Sequence, residues 1–234
     1  MIQIKYEGRL GNKMFQYAAA YILSKKHNQK IESELPGYPC KENKDAKEKI
    51  YTTSIQIKND NYQKTFNQTS IDSNLILNDY FQTSEFVNLH KKELKQCFDS
   101  NEDPIDGTII HYRIGDLIRH HDGKALTKIE YFEKCLQYIK NKDNIYITTD
   151  SPEHENIKYL VKNYNMEIIN KSPADTIKFS SRFKNKILSL GTFSWWIGFL
   201  GNKESNVFCP IQKEYVDWLG DIYVFENWKY ISYK

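Results

Sequence analysis

The second half of the chain is dominated by a regular alternation of short strand-like runs and segments with helical periodicity. The runs are rich in Ile, Val, Thr and Tyr, whereas the segments between them repeat apolar residues at three- and four-residue spacing. This alternation predicts a doubly wound α/β unit with a parallel sheet. The predicted strands are 108–112, 144–149, 167–169, 186–190 and 206–209, and the predicted helices are 129–141, 153–164, 174–184 and 194–200.

Two of these predicted helices carry an apolar stripe along one face, which we expect to pack against the sheet. The stripes are Phe132, Cys135, Leu136 and Ile139 in the first helix, and Ile157, Leu160, Val161 and Tyr164 in the second.

The first hundred residues predict a smaller unit that opens as strand, loop and helix. The predicted elements are a strand over 2–6, a helix over 13–27, loops over 36–73, a strand over 74–82 and a helix over 85–98. Asn, Asp, Pro and Gly over 100–107 mark a boundary between units. We therefore expect an N-terminal lobe over 1–103, which would face the acceptor and carry a glycine-rich loop, and a nucleotide-sugar-binding C-terminal lobe over 104–234.

Composition narrows the class of protein. No apolar run approaches the ~18 residues that a membrane helix needs, and a strand-like segment begins directly after Met1 where a secretory signal would lie. A soluble, cytoplasmic protein without an integral membrane segment is therefore expected. The net charge of +3 is spread along the chain, which does not suggest a nucleic-acid partner. The cysteines are far apart, so we expect buried free thiols.

Ligands of open α/β sheets bind beyond the carboxyl ends of the strands, so the residues that follow each predicted strand are the candidates for function. Residues 111–116 read His-Tyr-Arg-Ile-Gly-Asp, which places His111, Arg113 and Asp116 at such an end. Arginine is rare in this lysine-rich chain, and its guanidinium binds phosphate with two hydrogen bonds. Taken alone, a structural Arg–Asp pair is an equally good interpretation.

Residues 190–196 read Leu-Gly-Thr-Phe-Ser-Trp-Trp, where a strand meets the start of a helix. Thr192 and Ser194 are N-cap candidates, and amides at a helix start can seat a pyrophosphate. The alternative is that the aromatic residues only pack the core, as we expect for Trp196. Asp150 ends another predicted strand, where it could contact a nucleobase or ribose or could equally cap the helix before Pro152.

Two further features bear on the ligand. Residues 7–12 read Glu-Gly-Arg-Leu-Gly-Asn and precede a helix, so their glycines allow either close approach of an anion or only a tight turn. No Asp-x-Asp motif or other convincing metal-ligand spacing occurs, so Arg and helix dipoles would have to neutralise a diphosphate leaving group.

Four motifs taken together resemble glycosyltransferase family 11, the α-1,2-fucosyltransferases. They lie at 8–17, 80–85, 111–116 and 192–196, in that order, and span nearly the whole chain. The resemblance implies an α/β fold of two Rossmann-like lobes facing a cleft, of the GT-B type. It further implies transfer of fucose from GDP-β-L-fucose to a glycan acceptor with terminal galactose, inversion at the anomeric carbon, and no metal or other cofactor.

The resemblance also assigns roles to residues. It assigns Arg113 to the diphosphate, makes His111 and Asp116 its neighbours in the catalytic motif, and assigns donor binding to Gly11, Asn12, Thr192, Phe193 and Ser194. Asp150 joins these donor-binding candidates because of its place at a strand end. The general base is not identified, although Asp116, His121 and Asp122 are nearby in sequence.

Three departures from the family pattern keep other functions open: Ile114 where a second arginine is usual, Lys13 where Gln is usual, and Leu190-Gly191 where Asn-Ser is usual. The alternatives are a GDP-sugar transferase of other sugar or linkage specificity, and a catalytically silent protein that binds glycans or nucleotides.

Overall fold

A computed structural model describes residues 1–98, 103–119, 123, 125–201, 204–211 and 221–232. The chain divides into two compact units. Unit 1 comprises Met1–Asp99 and Gly220–Val224, and unit 2 comprises Ser100–Leu219 and Phe225–Lys234. The first unit therefore includes a short segment from near the carboxyl end of the chain, which lies far beyond the expected boundary at residue 103.

Unit 1 is built on a parallel sheet of short strands with helices between them. The described elements are β1 (Ile2–Ile4), α1 (Leu10–His27), β2 (Ser54–Ile57), α2 (Asn59–Phe66), β3 (Asn74–Leu77) and α3 (Ser84–Phe98). The strand order is β1-β3-β2. Helix α1 ends where Asn28 adopts a left-handed conformation, after a last turn of basic residues that suits the negative end of the helix dipole.

Unit 2 contains a larger sheet in which every described strand pair is parallel. Its elements are β4 (Ile105–Tyr112), a 3₁₀ helix (Gly115–Ile118), α4 (Ile129–Gln137), β5 (Ile145–Thr149), α5 (Glu155–Tyr164), β6 (Glu167–Ile168), α6 (Pro173–Ser181), β7 (Phe183–Leu188), α7 (Thr192–Phe199), β8 (Asn206–Pro210) and β9 (Lys229–Ile231). The strand order is β6-β5-β4-β7-β8-β9, so β4 lies in the interior of the sheet with β5 and β7 on either side.

The apolar stripes pack as the sequence predicts. Phe132, Cys135, Leu136 and Ile139 of the first stripe, with Ile157 and Leu160 of the second, are buried in one cluster with strand residues such as Ile110 and Ile147. Val161 and Tyr164 lie at its margin, only partly buried.

The expected fold class is confirmed: in each unit, helices alternate with parallel strands, as in the Rossmann-like lobes of a GT-B fold. The prediction of loops over 36–73 is wrong, because β2 and α2 form there. That segment is polar and α2 buries only Tyr62 and Thr65, so it shows little apolar periodicity. Strand β9 was not predicted from the sequence either, because its one aliphatic residue lies at its end and is only half-buried.

Two further expectations can be compared with the structure. All four cysteines are described and unpaired; Cys97, Cys135 and Cys209 are buried, and Cys40 is half-buried. Among the described residues, no helix is long and apolar enough to cross a membrane.

Candidate functional site

The carboxyl ends of β4, β5 and β7 bring together most of the predicted site residues of unit 2. Because these strands are neighbours and parallel, the residues that follow them share one edge of the sheet. His111 directly follows the aliphatic residues of β4, and Arg113 comes two residues later. Asp150 follows β5, and the segment that leads to Thr192 follows β7.

Arg113 is held by Asp116 on the following 3₁₀ helix. Its Nη2 lies 2.9 and 3.1 Å from the two carboxylate oxygens, and its Nε lies 3.3 Å from Oδ1. The side chains are 17% and 30% exposed, so this pair is shielded from water more than a surface ion pair. The interaction fixes the plane and direction of the guanidinium.

The guanidinium lies against the start of α7. A Cβ placed on Gly191 would be 2.9 Å from Arg113 Nη1, so the arginine approaches the backbone at a point where only hydrogen fits. Gly191 is the N-cap of α7 and has φ +125° and ψ 157°. The expectation that Thr192 or Ser194 caps this helix is therefore wrong: no side chain caps it, and the helix begins at Thr192, two residues before the predicted start.

Ser194 instead directs its hydroxyl toward β4. Its Oγ is 2.6 Å from Nδ1 of His111 and 3.3 Å from Oγ of Ser189, which in turn accepts the backbone N–H of Arg113 at 3.0 Å. These three side chains are buried, and they connect the arginine backbone to helix α7. Phe193 stacks on the His111 ring, with centroids 5.0 Å apart.

Burial keeps His111 neutral. Removal from water lowers its pKa to about 4; the Asp150 carboxylate opposes this shift, and the Arg113 charge adds to it. A neutral imidazole has one N–H donor and one acceptor nitrogen, so the short contact between Nδ1 and the Ser194 hydroxyl shares a single proton.

Asp150 binds the loop after β4. Its Oδ1 accepts the backbone N–H groups of Ile114 at 2.9 Å and Gly115 at 3.0 Å. The alternative that Asp150 caps the next helix is wrong, because the N-cap of α5 is His154, whose ring accepts the Asn156 N–H. Asp150 is exposed at this edge of the sheet.

Two residues of this edge were missed in the sequence. Ser189 is a hydroxyl residue directly after the apolar end of β7, a position that signals a strand-end role. Gly191 precedes a helix start, but its function depends on a conformation and a contact that only the folded chain shows. Trp196 is fully buried, as expected. The candidate bases His121 and Asp122 lie outside the described residues.

Gly11 and Asn12 belong to unit 1, at the start of α1. Asn12 Oδ1 accepts a hydrogen bond from Gln82 at 3.1 Å, which connects the first two motifs of the chain. Gly8 has φ +75°, and a Cβ there would collide with the Asn12 side chain, so this glycine is required by a close approach. The structure thus confirms a tight turn at this loop, whereas the donor contact stays a prediction.

Comparison with known proteins shows what the chain is similar to. The chain is similar to the O-antigen biosynthesis glycosyltransferase WbnK of Escherichia coli, with 23% identity over an alignment of 275 residues that covers 86% of this chain and 90% of the relative. No solved structure matches the chain. The family model described as "Glycosyl transferase family 11" matches residues 43–232, most of the chain. The chain therefore belongs to glycosyltransferase family 11 and is a glycosyltransferase.

Proposed function

We propose that the protein transfers L-fucose from GDP-β-L-fucose to a hydroxyl of a terminal galactose, with inversion to an α-1,2 linkage and without a metal ion. Family membership supports a nucleotide-sugar donor and a glycan acceptor. The observation that carries the proposal is the position of Arg113 Nη1 beside Gly191, at the N-terminus of α7. A guanidinium beside the N-terminus of a helix forms a binding site for a diphosphate.

In the proposed reaction, the acceptor oxygen bonds to the anomeric carbon while the bond from that carbon to the GDP oxygen breaks on the opposite face. The acceptor proton passes to a base, and negative charge grows on the leaving diphosphate. Arg113 and the first amides of α7 stabilise that charge, and they act most strongly in the transition state, when the charge is largest.

The neighbouring residues act through Arg113 and α7. Asp116 binds the Nε–Nη2 edge of the guanidinium, and Nη1 faces Gly191. His111 is buried and bonded to Ser194, so we assign it the positioning of Ser194 and Phe193 and not proton transfer to substrate. The phosphates then bind to the backbone N–H groups of Thr192, Phe193 and Ser194. Asp150 is proposed to contact the nucleoside, and Gly11 and Asn12 to contribute to donor binding from unit 1.

The relative's name points to the kind of acceptor. WbnK is named for O-antigen biosynthesis, and we propose that this chain also acts on a glycan, one that contains galactose. The experiment is turnover of GDP-fucose against a panel of galactosides, with and without EDTA, followed by linkage analysis of the product by NMR. An α-1,2-fucosylated product at an unchanged rate in EDTA is expected. Loss of activity in EDTA, or no fucosylated product from any galactoside, would contradict the proposal.

A second candidate is a protein that binds the nucleotide without transferring a sugar, and the burial of Ile114 favours it. Ile114 is fully buried in the core cluster of unit 2, so the residue at the usual position of the second arginine faces the core and adds no charge to the diphosphate site. GDP calorimetry separates the candidates: tight GDP binding without turnover of GDP-fucose or another GDP-sugar supports the silent protein. Turnover of a different GDP-sugar indicates a transferase of other specificity.

A further inference from the structure

The carboxyl edge of the sheet in unit 1 carries a second set of polar and aromatic side chains. Strands β1 and β3 are parallel neighbours, with Ile4 paired to Leu77 and the Lys5 N–H donating to the Leu77 carbonyl at 2.9 Å. Glu7 and Tyr80 each lie three residues beyond the last pair. The two side chains therefore emerge at the same level of one edge, where α/β sheets bind ligands.

Tyr80 presents its ring at this edge although its neighbour is buried. Tyr80 is 39% exposed and Phe81 is 1% exposed, packed against Tyr62 and Phe86. Phe81 has φ +56°, a left-handed conformation that is unfavourable for a bulky residue and that concentrates at ligand sites. Packing of the Phe81 ring holds this turn in place, so Tyr80 remains at the surface.

Asp79 fixes the backbone at Tyr80. Its Oδ1 accepts the Tyr80 N–H at 2.7 Å and the Asn59 side-chain amide at 3.0 Å, and its Oδ2 accepts the Asn59 N–H at 3.1 Å. Both oxygens are thus engaged within the protein. The turn that carries the ring is preorganised, which lowers the entropy cost of binding a ligand there.

Glu7 supplies a carboxylate beside the ring. Its backbone N–H donates to Oε1 of the buried Gln16 at 3.1 Å, which fixes the residue, and its side chain is exposed. Partial burial raises the pKa of Tyr80, and the nearby charge of Glu7 raises it further. A carboxylate accepts about four hydrogen bonds, so Glu7 can accept hydrogen bonds from sugar hydroxyls beside the Tyr80 ring.

We infer that Tyr80 and Glu7 form a binding subsite for a neutral sugar ring of the acceptor. The aromatic face carries negative charge, so the C–H bonds on one face of a pyranose pack against it, while hydroxyls on the sugar's rim donate to the Glu7 carboxylate. That the sugar is the acceptor rests on the proposed function. The subsite itself rests on the geometry of unit 1 alone.

Unit 2 offers a matched control for the test. Tyr159 is 45% exposed, and its hydroxyl donates to the Glu133 carboxylate at 2.9 Å, so it is a tyrosine–glutamate pair of the same chemistry. It lies on helix α5, away from the strand ends. Tyr159→Ala removes the same atoms as Tyr80→Ala without touching a sheet edge.

The experiment measures binding of lactose and a small panel of neutral oligosaccharides to the full chain by saturation-transfer NMR, with GDP affinity measured by calorimetry. We expect Tyr80→Ala to weaken sugar binding about tenfold, Tyr80→Phe to change it by about threefold or less, and Glu7→Gln to weaken it about three- to tenfold. GDP affinity should stay within about twofold, and Tyr159→Ala should resemble the wild type.

Sugar binding by Tyr80→Ala equal to that of Tyr159→Ala would overturn the inference, as would a wild-type protein that binds no sugar of the panel. Failure of the proposed function is distinguishable. If sugar binding depends on Tyr80 but GDP-fucose gives no product, the subsite stands and the proposed transfer does not.

Discussion

Replacement of Gly191 by alanine tests the site most directly, because it disturbs both the start of α7 and the position of Arg113. The backbone at φ +125° and ψ 157° lies in a region that is essentially restricted to glycine. The new Cβ would also lie 2.9 Å from Arg113 Nη1 and 3.7 Å from its Cδ. The first distance is shorter than a normal contact, so the guanidinium must move.

The two effects have different sizes and different measurements. Backbone strain should lower the free energy of unfolding by about 1–3 kcal/mol. Displacement of the guanidinium from the diphosphate should lower kcat by about 10²- to 10³-fold, the usual cost of losing one preorganised donor to a developing charge. Urea denaturation measures the first quantity, and GDP-fucose turnover at saturating acceptor measures the second.

Gly37→Ala is the control. Gly37 also has a positive φ of +79°, but a Cβ there would meet no atom within 4 Å. This variant should lose about 1 kcal/mol of stability from backbone strain and keep its activity. If Gly191→Ala is folded and turns over GDP-fucose as fast as Gly37→Ala, then Arg113 does not act at the start of α7 and the reasoning fails.

Three more predictions concern the same edge of the sheet. Arg113→Lys should lower kcat at least about 100-fold, because lysine lacks the planar fork; an activity near that of the wild type would remove Arg113 from the mechanism. Asp116→Asn should lower kcat about tenfold without weakening GDP binding in calorimetry, because it loosens the guanidinium but removes a negative charge beside the diphosphate; weaker GDP binding would argue against a positioning role. His111 has a lowered pKa of about 4, so its contribution to stability is complete above about pH 6.5 and is lost as pH falls toward 4, by up to about 3 kcal/mol; urea unfolding from pH 4 to 7.5 should show this slope in the wild type and not in His111→Gln.

The sequence predicts the helices and strands of unit 2 well because their apolar residues recur at regular spacing. The stripes that contain Leu136 and Leu160 recur at helical spacing, and the sheet buries both residues in one cluster. In unit 1, α2 buries only Tyr62 and Thr65, and its tertiary contacts, such as the hydrogen bond from the Tyr62 hydroxyl to the Ala19 carbonyl, leave no periodic signal.

The sequence predicts which strand ends carry the site residues, but it does not predict which side chains contact each other. Arg113 and Asp150 could be placed at one edge from strand order alone, because parallel strands end together. The N-cap position of Gly191 could not be predicted, because a hydroxyl residue is the usual N-cap and Thr192 follows immediately. The contact between His111 and Ser194 could not be predicted either. These residues are 83 positions apart and meet only when β4 and α7 are folded.

The buried hydrogen-bond chain through Ser189, Ser194 and His111 also has an evolutionary consequence. Removal of Ser194 deprives the buried Nδ1 of His111 of this hydrogen bond, and removal of Ser189 deprives the Arg113 N–H of its acceptor, each at a cost of about 1–3 kcal/mol, whereas joint replacement by apolar residues avoids part of that cost. Substitutions at these positions should therefore be epistatic. Among descendants of this sequence, the three positions should change together or not at all.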